Sequence, residues 1–168
     1  PLRYAEKRGF FLEGAGVYSF SPRNDVTPFF SRRIGLSEGQ QIPINLGGRL
    51  SGQIGDYELG FIQASTKGSG SLAGEKFTVA RVKRSFLKQS YFGMVYTERS
   101  SNKSSEDSTA LDQSLYGADL DLKTSEFLGD KNLQLQVFLV AHTAPVFEQN
   151  IKFADLSTRG FRLSYPND

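Results

Sequence analysis

Cysteine and tryptophan are missing from this chain, and histidine and methionine occur once each. Without cysteine there is no disulfide framework, no thiolate nucleophile and no thiolate metal site. His142 stands alone, so no histidine-based metal cluster or catalytic dyad can be assembled within the chain. No run of 18 apolar residues occurs, which excludes a transmembrane helix and leaves a transmembrane barrel open, because barrel strands signal far more weakly. An excess of charge is also lacking. The 20 basic and 18 acidic residues leave a net charge of +2, which does not favour nucleic acid as a partner. Gly68, Gly70 and Gly74 are not followed by the Gly-Lys-Ser/Thr ending of a phosphate loop. No segment repeats apolar residues at i, i+3, i+4 and i+7, so no helix is predicted. The chain starts at Pro1 without Met and stops at Asp168, which reads as an internal fragment.

What is present points to strands and turns: 17 Gly, 14 Phe and a hydrophobic content of 38%. The clearest signal is residues 42–66, IPINLGGRLSGQIGDYELGFIQAST. Ile42, Ile44, Leu46, Leu50 and Ile54 share one parity, while Asn45, Arg49, Ser51 and Gln53 take the other. After Gly55-Asp56, Tyr57, Leu59 and Phe61 alternate with Glu58, Gly60 and Ile62. Period-2 alternation on both sides of a two-residue turn signal predicts a hairpin. Its arms exceed the usual strand of about five or six residues and match the roughly 9–11 that cross a bilayer.

Further strands are predicted at about 28–36, 77–86, 90–99, 111–124, 132–143 and 154–165, with residues 1–27 as an irregular entry or plug segment. The whole reads as an all-β antiparallel meander of about eight long strands, over residues 28–168, forming part of an outer-membrane β-barrel. Its connections, roughly 5, 2, 10, 3, 11, 7 and 10 residues long, alternate between shorter and longer. Outer-membrane barrels segregate tight periplasmic turns from longer external loops in this way. On that rule Gly55-Asp56 and 87–89 face the periplasm, 67–76, 100–110 and 144–153 face outside, and residues 1–27 begin on the periplasmic side.

Several blocks also resemble one family. KRGFFLEGAGVYSF at 7–20, PFFSRRIGL at 28–36, LGGRLSGQIGDYELGFIQAST at 46–66 and FTVARVKRSFL at 77–87 are similar, in that order, to domain of unknown function 5916. That family is a C-terminal outer-membrane barrel of Gram-negative bacteria, usually preceded by a domain similar to carbohydrate-binding module family 9. The resemblance covers about residues 5–99 and continues more loosely to the end. It implies localisation in the cell outer membrane, contact with outer-membrane lipid, and passage or docking of carbohydrate-related solutes. It offers no catalytic residues and no cofactor, and the protein is read as non-enzymatic. The carbohydrate-binding-like domain is absent from this sequence, so a sugar-binding or glycosidase label has no residues here to rest on.

The candidate site residues are charges. Arg49, Glu58, Arg81, Lys83, Asp119 and Asp121 fall opposite the apolar stripes, the lumen side of a barrel. They would line a selective channel or form a cross-strand charge lattice that fills the wall. Glu13 would tie a plug to basic residues on the wall, or simply fix the entry segment by a salt bridge. Arg32 and Arg33, neighbours on a strand, would point to opposite faces and so belong near a rim, where a long side chain can reach the headgroups. Lipopolysaccharide phosphate is a possible contact for that pair. His142 reads as a rim or lumen residue, and Tyr57, Tyr96, Tyr116 and Tyr165 as an interfacial belt. Asp119 and Asp121 share a face, yet glycosidase chemistry needs a set separation and a cleft that nothing else in the sequence supplies. The competing architecture is a soluble β-barrel or sandwich that binds a ligand or carbohydrate. It would turn Tyr57, Leu59, Phe61, Phe92, Met94 and Tyr96 inward.

Overall fold

A computed structural model describes residues 6–20, 26–37, 40–68, 74–101, 112–143 and 154–165. Seven long strands form one antiparallel meander: β3 (Ile44–Ile54), β4 (Tyr57–Thr66), β5 (Glu75–Phe86), β6 (Ser90–Ser101), β7 (Gln113–Phe127), β8 (Lys131–His142) and β9 (Ser157–Ser164). A separate two-stranded ribbon, β1 (Leu36–Ser37) and β2 (Gln40–Gln41), precedes them. The large sheet is open among the described residues, with β3 and β9 at its edges.

The predicted hairpin forms with Ile54 opposite Tyr57 and Leu50 opposite Phe61. Gly55 takes a positive φ of 56°, as the first central position of a II′ turn requires. Tight connections at 55–56, 87–89 and 128–130 alternate with long ones at 67–74, 102–112 and 143–156. The alternation is stricter than the sequence suggested, because β7 runs on to Phe127 and leaves only three residues before β8. Leu87 and Leu128 open the two three-residue turns at positive φ, a conformation uncommon for residues other than glycine.

Residues 28–36 depart from their prediction. In place of a strand, Ser31–Arg33 make a single 3₁₀ turn, and only Leu36 begins a short β pairing. The reason is long-range. Arg8 donates to the backbone carbonyls of Ser31 and Ile34, at 2.9 and 2.7 Å, and Ser31 Oγ donates to Glu6. These partners hold a compact turn that local alternation cannot reveal. Likewise α1 (Gly9–Leu12) is a one-turn helix, and Ala15–Tyr18 is a 3₁₀ turn, where no helix was predicted.

The entry segment lies on one face of the sheet. Phe11 and Ile34 pack with Ile62, Ala64, Phe77 and Val79, and Phe20 packs with Val95 and Val140. Fully burying side chains of this size stabilises by about 1.5–3 kcal/mol each. The opposite face carries Leu46, Leu50, Ile54, Phe61, Val82, Phe92, Met94, Val137, Leu139, Phe161 and Leu163, all exposed. This chain therefore covers the face that carries its strand charges, together with the apolar clusters beside them, and leaves the opposite apolar face bare.

Candidate functional site

Parity along the strands collects the six predicted charges on the covered face. Register then sets Glu58 opposite Lys83, and Gly93 between Lys83 and Asp119. Gly93 lets a pair form across it: Arg81 Nη1 lies 2.7 Å from Asp119 Oδ1 and Nη2 donates to Oδ2 at 2.9 Å. A Cβ at position 93 would stand 2.6–2.7 Å from these same atoms, so only glycine leaves the two strands on either side bridged by side chains. Both partners are buried, Arg81 with 0% of its side chain exposed. Tyr91 donates its hydroxyl to Asp119 at 3.1 Å, and the Arg81 guanidinium lies 5.3 Å from the Phe20 ring centroid.

Three of the cations reach past the sheet to the entry segment. Arg81 donates to Ser19 O at 3.0 Å, and Lys83 donates to Gly16 O at 3.1 Å and Ser19 Oγ at 3.0 Å. Arg49 binds both the backbone carbonyl and the carboxylate of Glu13. Glu13 thus pairs with a basic residue of the sheet, with its carboxylate largely exposed. Such an exposed pair contributes only about 0–1 kcal/mol. Lys83 also faces Glu58 at 3.5 Å. Asp121 stands apart from this group. It accepts from Gln134 at 2.9 Å and Gln136 at 3.1 Å, with Lys123 at 3.3 Å.

Arg32 and Arg33 are not brought into the site, and their prediction needs correcting. They sit on the 3₁₀ turn, so strand geometry does not send them to opposite faces. Arg32 borders a cavity of about 550 Å³ together with Glu6, Lys7 and Arg8. Arg33 borders another, of about 330 Å³, with Phe29, Phe30, Arg99 and His142. His142 is exposed at the end of β8, with Nδ1 3.1 Å from Thr143 O. Tyr57, Tyr96 and Tyr116 lie on the bare face, the last two with ring centroids 5.1 Å apart. Among the described residues no group of three His, Cys, Asp or Glu could hold a metal ion.

Sequence reasoning missed Ser19, Tyr91 and the glycines on which the packing depends. One signal was available. Gly60, Gly93, Gly117 and Gly160 all fall on the covered-face parity, which marks where something comes close to the backbone.

Within the entry segment, Arg8 holds the Glu6 carboxylate far below the usual glutamate value of 4.5 by hydrogen bonding it, with Ser31 assisting. A depressed carboxylate stabilises the fold fully above its ordinary ionisation and loses that contribution as pH falls. The stability difference between the native chain and Glu6→Gln should therefore be constant above about pH 4.5 and shrink progressively below it. Urea titrations of both proteins across pH 3–7 measure this directly, and a difference independent of pH would exclude the clamp.

The covered face presents charges of both signs engaged with one another or with the entry segment. Such an arrangement can bind, position or exclude. Comparison of the chain with known protein families, curated proteins and solved structures returned no match.

Proposed function

We propose that this chain is part of the wall of an outer-membrane β-barrel, with its charged face toward the lumen and residues 6–20 and 26–34 lodged against that face. One observation carries the reading. The sheet hides Arg81, Lys83, Asp119 and Asp121 and leaves Leu46, Leu50, Ile54, Met94, Phe161 and Leu163 bare. A water-soluble domain gains stability by the opposite choice, since apolar area removed from water contributes about 25 cal/mol per Å². Large contiguous apolar surfaces mark partner or membrane contact. Strands of 10–15 residues for β3 to β8, and tight turns segregated from long connections, support the same setting.

Membership of the domain of unknown function 5916 family belongs to this proposal and rests on the sequence blocks alone. So do a non-enzymatic role and a carbohydrate-related solute. No residue of the covered face identifies that solute. The test is fractionation of the full-length protein. It should sediment with outer membranes, need detergent for release, and migrate faster on gels when unheated than when boiled. Release into the soluble fraction without detergent would overturn the reading in favour of a soluble β-sandwich whose second layer covers the apolar face.

A further inference from the structure

We propose that residues 13–19 are a movable stopper, occupying with their own backbone carbonyls a row of cationic donors that otherwise serve oxygen-bearing solutes. The inference rests on the barrel reading above and adds a device to it.

The first observation is how the segment is attached. It shares no main-chain ladder with the seven-stranded sheet. Its polar attachments there run from side chains of the sheet to three peptide oxygens, Arg49 to Glu13 O, Lys83 to Gly16 O and Arg81 to Ser19 O, joined by the Glu13 carboxylate on Arg49 and by Ser19 Oγ on Lys83. A peptide carbonyl is a neutral acceptor of modest strength, and donors of this kind bond more strongly to charged oxygens. Detaching the stopper breaks no strand pairing. It leaves three donors that a solute carboxylate, phosphate or hydroxyl oxygen can satisfy, and an unsatisfied buried donor is costly.

The fit of the segment is the second observation, and it is imperfect. Val17 and Tyr18 press onto bare backbone at Gly60, where an added Cβ would overlap Val17 Cγ1 and stand 2.9 Å from the Tyr18 ring. Yet the Tyr18 hydroxyl is buried without a hydrogen-bond partner among the described residues. Burial accordingly pushes its ionisation up. Moving the stopper away from the sheet returns that hydroxyl to water.

The third observation separates the stopper from its anchors. On one side of it, Phe11 packs into the cluster of Ile34, Ile62, Ala64, Phe77 and Val79, and on the other Phe20 packs with Val95 and Val140. Between these two fastenings the middle is held by the polar contacts above and by Val17 and Tyr18 seated on Gly60, so lifting it breaks those contacts while its ends stay seated. Gly14, at a φ of 67°, begins this middle stretch.

The chain offers its own lock. A Cβ at Gly14 would stand 3.5 Å from Ser51 Cβ, within the separation a disulfide accepts, and no native cysteine competes. The experiment reconstitutes full-length Gly14→Cys/Ser51→Cys protein in liposomes and follows efflux of entrapped glutamate, with and without reductant. Efflux should fall to that of protein-free liposomes when the disulfide is formed and return on reduction, each preparation serving as its own control for folding. Gly60→Ala, which wedges the stopper without altering a charge, should raise efflux above that of the native chain. Equal efflux from locked and reduced liposomes that demonstrably contain the inserted protein would overturn the stopper and leave the barrel reading intact. Failure of the native chain to insert would overturn both.

Discussion

Replacing Asp119 by Leu is expected to destabilise the protein by about 3–5 kcal/mol, because it leaves the Arg81 guanidinium buried without a counter-charge. The pair is held at 2.7 Å and neither side chain is more than 3% exposed, so solvent cannot take over the lost role. Tyr91 loses its acceptor in the same step. Adding Arg81→Met should recover much of the loss, since apolar groups of similar volume replace a buried pair at little net cost. Urea unfolding of the four proteins in lipid vesicles, followed by circular dichroism because the chain has no tryptophan, gives the coupling energy as a double-mutant cycle. A loss below about 1 kcal/mol for the single variant would mean that water reaches the pair.

Met94→Arg should reveal which solvent meets the bare face. Met94 lies mid-strand on β6, with 58% of its surface exposed and Val82 and Ala118 as its cross-strand neighbours. In a bilayer an arginine at the midplane of a barrel strand costs about 2–4 kcal/mol, falling to about 0–1 near the interface. Tyr57→Arg, beside the Gly55-Asp56 turn, should accordingly cost much less. In water both substitutions are ordinary surface changes within about 0.5 kcal/mol of neutral. A graded loss between the two positions supports the membrane setting. Equal and negligible effects would remove it.

Both predictions concern faces, and the faces were legible early. Alternation in β3 and β4 assigned Leu50, Ile54, Leu59 and Phe61 to one side and Arg49, Glu58 and Gly60 to the other, and the register keeps that division. Gly55-Asp56 and Leu87-Lys88-Gln89 fall at turns as predicted. These features are local: a pleat alternates by geometry, and a turn needs residues that tolerate its dihedral angles. The PFFSRRIGL block failed for the complementary reason. Its apolar and basic residues mimic a strand, while its conformation depends on Arg8 and Glu6, more than twenty residues earlier.

The charged site was half legible. Its members could be listed from parity, but not who meets whom. That Arg81 would join Asp119 over Gly93, and that Asp121 would turn instead to Gln134 and Gln136, follows from β6 lying between β5 and β7 and from β8 flanking β7. The attachment of Arg49, Lys83 and Arg81 to the carbonyls of residues 13–19 was beyond any pattern, because a carbonyl is present at every residue and carries no sequence signature.

By itself, then, the sequence determined an all-β antiparallel meander with one apolar and one charged face, because alternation with period two is a property of neighbouring residues. Only the tertiary structure decided which face is covered. That choice depends on where an irregular segment with almost no periodic signal comes to rest. It rests where glycines admit its side chains and buried cations take its carbonyls.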